Sequence, residues 1–210
     1  MALDELLDEH EQSERVRDWL RRNALGIIGG VVLGLAAVGG FKWWQAQAHE
    51  QRVQSGENYQ AVLDSLKAGD LKKAQAQAAG LKDGAFAALV ALDLAKAQLD
   101  AGQRDAAIAS LRGVTTSDPG LSLVLRQRLA RLLIDAGKGQ EALQLLADAE
   151  DPLGLEARGD AQLALGKREE ARKAYSEALT KLDVAAPRRR LLELKLTDAG
   201  GTPAKPEPTT

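Results

Sequence analysis

The sequence contains no cysteine. Disulfides, thiolate-held metals and thiol nucleophiles are therefore excluded, and the absence suits an oxidising compartment, where a stray thiol is a liability. Histidine is nearly missing too. His10 and His49 lie on opposite sides of an apolar run and cannot join each other in a metal site or a triad. Aromatic residues make up only 3% of the chain against 45% apolar residues, so a core has to be built from Leu, Ala, Val and Ile. Ala and Leu are strong helix formers, whereas a β-sandwich would draw more on Val, Ile, Tyr and Thr. A charge of one sign is also lacking. The formal net charge is −2, and after residue 44, 23 basic residues meet 23 acidic ones. Such a surface has no large field to attract nucleic acid. There is no glycine-rich phosphate loop and no metal-ligand spacing. Carboxylates interleave with Lys and Arg, as on solvated helix faces. Together these absences point away from an enzyme and from any cofactor, nucleic acid or small-molecule substrate.

What is present begins with residues 24–41, which form 18 consecutive positions without a charge. About 20 residues of helix cross a hydrocarbon layer ~30 Å thick. Trp19 precedes the run and Trp43 and Trp44 follow it, where indole rings settle at a membrane interface. The expectation is a transmembrane helix over residues 23–44. Arg15, Arg17, Arg21 and Arg22 stand before it, and only Lys42 and Arg52 within a similar distance after it. Lys and Arg concentrate on the cytoplasmic side, so the N-terminus is expected in the cytoplasm and the domain after the span outside it. A cleaved signal peptide is the rival reading, since Ala46-Gln47-Ala48 resembles a cleavage site. The run is too long for that, however, and Lys42-Trp43-Trp44 sits where small neutral residues are needed. Gly26, Gly30 and Gly34 form a four-residue ladder along one helix face and are candidates for contact with another membrane helix.

Beyond the span, glycines recur in a fixed local frame. Gly69, Gly102, Gly137 and Gly166 are spaced 33, 35 and 29 residues apart. Five residues after each comes alanine: Ala74, Ala107, Ala142 and Ala171. Seven residues before each comes Val62, Ala95, Ala130 or Gly159. This is the signature of a helix–turn–helix repeat of about 34 residues. Each glycine ends a first helix and the small residues mark where paired helices cross. Residues 155–179 carry Gly159, Gly166, Ala171, Tyr175 and Ala178 at tetratricopeptide (TPR) consensus positions. The fold class expected is therefore all-α, a single transmembrane helix followed by a TPR-like helical-repeat solenoid. Asp118-Pro119 and Asp151-Pro152 punctuate connections. A helix from about Pro187 to Thr197 reads as a C-terminal cap, with Arg188-Arg189-Arg190 as a solvated face.

The expected organisation is an acidic cytoplasmic segment over residues 1–22, the span, a juxtamembrane helix or linker over 45–58, the repeat domain over 59–198 and a disordered Pro/Thr-rich tail over 199–210. Stacked TPR pairs present a groove lined by the first helix of each pair. In the repeat frame that groove shows Lys96, Gln127, Arg131, Asp135, Glu156 and Asp160, which are the candidate protein-binding residues. They do not match the carboxylate-clamp pattern of TPR domains that hold chaperone C-termini. Arg158-Gly159-Asp160 spells an adhesion tripeptide, but its glycine is already accounted for by the helix crossing.

With this architecture the chain resembles the YfgM-like family, the ancillary subunits of the bacterial SecYEG translocon. The resemblance is carried by Arg15-Val16-Arg17-Asp18-Trp19-Leu20, by the glycine-rich span ending Phe41-Lys42-Trp43-Trp44, by Ala87-Ala88-Leu89-Val90-Ala91-Leu92-Asp93-Leu94-Ala95 and by Leu129-Ala130-Arg131-Leu132. Its most distinctive block is Arg158-Gly159-Asp160-Ala161 through Gly166-Lys167 to Ala171-Arg172. The resemblance implies an inner-membrane anchor and a periplasmic TPR domain. It also implies contact with SecYEG, with a PpiD-like periplasmic chaperone and with translocating client proteins. A TPR scaffold in envelope assembly or cell division is the alternative.

Overall fold

The computed structural model describes residues 2–203, with side chains described from residue 14 onward except at residue 27. Among the described residues the chain forms nine α-helices and no strand. These are α1 (Ala2–Lys67), α2 (Leu71–Ala78), α3 (Ala85–Asp100), α4 (Arg104–Arg112), α5 (Pro119–Asp135), α6 (Gly139–Leu145), α7 (Pro152–Ala164), α8 (Arg168–Lys181) and α9 (Arg189–Asp198). They divide into two compact units, Met1–Gln54 and Ser55–Thr210.

The first unit is the greater part of α1. Its apolar side chains are uncovered: Leu25 is 90% exposed, and Leu33, Trp43 and Trp44 are exposed as well. The helix is bent, Glu14–Gly26 meeting Ile28–Lys67 at 44°. No single helix among the described residues is long and apolar enough to cross a membrane, whereas the bent pair satisfies length and composition together. The bend lies beside Gly26, where glycine leaves the backbone free to depart from a straight axis. No break separates a span from a juxtamembrane segment, because α1 runs on to Lys67 and supplies the first helix of the first repeat.

The second unit is a stack of helix pairs, α1's last turns with α2, then α3 with α4, α5 with α6, and α7 with α8, closed by α9. Its punctuation follows the sequence frame. Gly69, Gly102, Gly137 and Gly166 all have φ between 73° and 75°, the left-handed region that glycine enters without Cβ strain. The amide after each glycine reaches back to the helix it closes. Asp70 N–H donates to the Ser65 carbonyl at 2.9 Å, Gln103 to Gln98 at 2.7 Å, Lys138 to Leu133 at 2.7 Å and Lys167 to Gln162 at 2.8 Å. Both Asp-Pro pairs open helices. Asp118 accepts from Leu121 N–H and Asp151 from Gly154 N–H, each at 2.8 Å, with the proline at the first helical position where its missing N–H does no harm.

The frame has a fifth member that the alanine pattern did not show. Gly200, 34 residues beyond Gly166, has φ of 87°, and Gly201 N–H donates to the Leu196 carbonyl at 2.8 Å. So α9 is the first helix of a further repeat and is closed in the same manner as the others. Of the expected tail, residues 204–210 lie outside the described residues, while Gly200 and Gly201 belong to this helix terminus.

Packing is by small residues. Ala74, Ala107, Ala142 and Ala171 are all fully buried at the helix crossings. Gly159 lies under the Tyr175 ring so closely that a Cβ there would stand 2.4 Å from Cε1. A polar bond also recurs between paired helices. Ser65 Oγ donates to Gln77 Oε1 at 2.8 Å, and Ser110 Oγ to Gln98 Oε1 at 2.9 Å. These four residues occupy one pair of frame positions, four before and eight after the glycine, with serine and glutamine exchanged. The third pair fills both positions with leucine, Leu133 and Leu145. In the fourth, Gln162 faces Ala174, and Gln162 Oε1 is buried without a partner.

Candidate protein-binding groove

The first helices of successive pairs lie side by side, so residues at equal distance before each glycine form rows. Between α3 and α5 these rows enclose a cavity of about 630 Å³. Lys96, Arg131 and Asp135, three of the six groove residues expected from the sequence, line it together. Leu92, Leu99, Val124 and Leu132 provide apolar walls. Asp93 and Arg128, which the sequence reading passed over, line it too. The signal for them was available: each stands nine residues before its glycine, Gly102 or Gly137. The Tyr59 hydroxyl stands 3.5 Å from Asp93 Oδ2. Burial, reinforced by the Asp93 charge, pushes the Tyr59 hydroxyl above its ordinary pKa.

The other three expected groove residues go elsewhere. Gln127 Nε2 donates to Asp151 Oδ1 at 3.3 Å, at the joint where Asp151 caps α7 and also accepts from Arg126 at 3.4 Å. Glu156 is only 1% exposed. It accepts from Arg188 Nε at 2.7 Å and from Lys195 Nζ at 2.7 Å. Asp160 accepts from the Tyr175 hydroxyl at 2.8 Å and from Lys195 Nζ at 2.7 and 2.8 Å. The pair therefore forms an internal ionic joint between α7 and α9. Burial pushes the Glu156 carboxyl up, but the hydrogen bonds and charges of Arg188 and Lys195 outweigh it and hold the carboxyl below the ordinary range. The same contact raises Arg188, and burial with the Asp160 hydrogen bond raises the Tyr175 hydroxyl well above its usual value.

The arginine run at the start of α9 accordingly departs from a solvated face. Arg188 is committed to Glu156, and Arg189 donates to the Leu179 and Leu182 carbonyls at 3.2 Å and to Glu193 at 3.1 Å. Arg190 alone of the three is exposed. No alternation in the sequence announces the Arg188 pairing, because its partner lies 32 residues away, whereas Arg189 meets partners within ten residues of itself.

Four helix pairs with this terminal geometry and these crossing alanines set the context for comparison with known proteins. The tetratricopeptide repeat-like domain family matches residues 17–201. The chain belongs to that family. This TPR-like chain is also similar to proteins named ancillary SecYEG translocon subunit. It is 27% identical to the one of Escherichia coli (strain K12), over 91% of this chain and 96% of that protein. It is 27% identical to the one of Haemophilus influenzae, over 82% and 89% respectively. A third, from Aggregatibacter actinomycetemcomitans, is 24% identical over 91% and 98%. The resemblance carried by the sequence motifs thus extends over nearly the whole TPR-like chain.

The remaining candidates lie on α1. At Gly26, Gly30 and Gly34 an added Cβ would meet nothing within 4 Å, so the ladder is an open face. Trp19, Trp43 and Trp44 are exposed. Among the described residues no group of three His, Cys, Asp or Glu side chains could hold a metal ion.

Proposed function

We propose that this chain is a membrane-anchored TPR adaptor of the Sec translocon. In this reading the apolar part of α1 spans the inner membrane with its N-terminus in the cytoplasm. The repeat unit then lies in the periplasm, where it meets translocating client proteins and a PpiD-like chaperone. The role is binding, not catalysis. The observation that carries the reading is the likeness to the translocon subunit of Escherichia coli, which covers 91% of this chain and includes both the apolar run and the repeats. The uncovered apolar side chains of α1 support the anchor, since a run of this length exposed to water would be a severe liability and one in lipid is not. Four arginines before the run against Lys42 and Arg52 after it support the orientation.

The test is affinity purification of the full chain from membranes in mild detergent, with reporters fused after Thr210. Recovery of SecYEG and activity of a periplasm-only reporter are the expected results. Recovery of cell-division or outer-membrane assembly factors in place of SecYEG would favour a scaffold. Activity of a cytoplasm-only reporter at that terminus would overturn the orientation.

A further inference from the structure

The cavity between α3 and α5 carries an unspent charge pattern. Lys96, Arg128 and Arg131 line it, and among the described residues none of these three side chains makes a hydrogen bond or ion pair. Arg104, Arg168 and Arg190 of the second unit are likewise without a side-chain partner, whereas other cations are committed to carboxylates. Arg112 pairs with Glu141, Arg126 with Asp151, Arg158 with Glu177, Arg172 with Glu169, Arg188 with Glu156 and Lys195 with Asp160. Arg128 and Arg131 are three residues apart and share a helix face, and Lys96 and Arg131 hold the same place in consecutive repeats, six residues before Gly102 and Gly137. Beside these cations lie Leu92, Leu99, Val124 and Leu132, of which Leu99 and Val124 are exposed although apolar. Two acids complete the wall: Asp93, beside the Tyr59 hydroxyl, and Asp135 near the end of α5.

Resting on the adaptor reading above, we propose that this cavity binds a segment of partner polypeptide in which acidic and large aliphatic residues alternate. Its carboxylates meet Lys96, Arg128 and Arg131, and its aliphatic side chains lie on Leu92, Leu99, Val124 and Leu132. Guanidinium groups bind carboxylates in a planar, two-bond geometry that an ammonium cannot match, so the two arginines set the preference and Lys96 adds charge. Nucleic acid does not fit the site. No aromatic side chain lines it for base stacking. A purely aliphatic segment would leave three cations facing it unpaired, which disfavours it.

The experiment uses the full chain in non-ionic detergent and a short fluorescein-labelled peptide of alternating Leu and Glu, with a second peptide carrying Gln for Glu. Fluorescence anisotropy should show the Glu peptide binding roughly tenfold or more tightly than the Gln peptide, a difference that shrinks as salt rises. The variant R128E/R131E should abolish the preference for Glu and confer one for the corresponding Leu/Lys peptide. Both side chains are partnerless, so folding should survive; a circular-dichroism melt checks this, and R131Q serves if the double variant unfolds. Equal binding of the Glu and Gln peptides, or an unchanged preference in the folded variant, overturns the inference. SecYEG recovery by the same variant is measured in parallel. Its persistence alongside an unchanged peptide preference overturns this inference alone and leaves the adaptor reading standing.

Discussion

At the scale of single residues, the repeat frame exposes its own irregularities. Two helix pairs are joined by a buried serine–glutamine bond and a third by two leucines, but Gln162 Oε1 in the fourth is buried opposite Ala174 with no donor. A buried acceptor without a partner costs about 1–3 kcal/mol, and a made bond contributes about 1 kcal/mol net. Ala174→Ser places a hydroxyl where Ser110 stands in the second pair. It should stabilise the repeat unit by roughly 0.5–1.5 kcal/mol in a thermal or urea melt. A loss of stability would mean that the two pairs differ in backbone spacing. Glu156 gives a second prediction. Its carboxyl is held below the ordinary value, so it is charged in the fold and binds a proton more readily when unfolded. The stability it contributes is full above about pH 4.3, the ordinary glutamate value, and is lost as pH falls through the lower folded value. Glu156→Gln should therefore be less stable than the parent at neutral pH, and the gap should narrow on acidification below that point. A gap that widens in acid would contradict the assigned sign.

At the scale of elements, α9 is more than a cover. It closes on Gly200 as the other first helices close on theirs, and it brings both cations that neutralise buried Glu156. Its inner face places Leu192 and Leu196 in the same apolar cluster as Tyr175 and Leu155. Ending the chain after Ala186 should strand Glu156 in an apolar setting. Removing the partners of a buried charge costs about 3–5 kcal/mol, and loss of the two leucines adds to it. The truncated chain should melt many degrees lower, and restoring α9 with Arg188 and Lys195 both changed to Met should recover only part of the loss.

This helix also marks where sequence reading reached and where it stopped. Glycine spacing located the turn that closes each first helix from Gly69 to Gly166, because a left-handed residue is a local demand that one side chain type meets. The same spacing grouped Lys96, Arg131 and Asp135, since equal frame positions on neighbouring first helices fall side by side. It misplaced Glu156 and Asp160 for a physical reason. The frame says which face a residue takes, but not that a later helix will deliver two cations to that face. The clue was Gly200, 34 residues after Gly166, which identifies α9 as a first helix in register with α7. Without an alanine five residues further on, the pattern looked finished.

At the scale of the whole molecule, the proposed mechanism depends on covalent attachment of a binding unit to a membrane anchor. Residues 45–54 separate Trp44 from the repeat unit. Even fully extended, ten residues reach at most about 35 Å. Within the adaptor reading, any chain emerging near the anchor therefore meets the repeat unit at a high effective concentration. Tethering of this kind raises apparent affinity by ~10²–10⁴ without a new contact. The groove can accordingly be weak on its own and still act. The expected outcome is that the repeat unit, exported without its anchor, fails at matched abundance where the full chain succeeds. The comparison is made in cells lacking the native gene. One strain receives the full chain, and another receives residues 51 onward behind a cleavable export signal, with periplasmic levels equalised. Raising the untethered form by roughly two orders of magnitude should restore function, because concentration can then replace attachment. Equal rescue at equal abundance would show that the anchor does not act by concentrating the groove, and would leave the repeat unit as a freely diffusing binding protein.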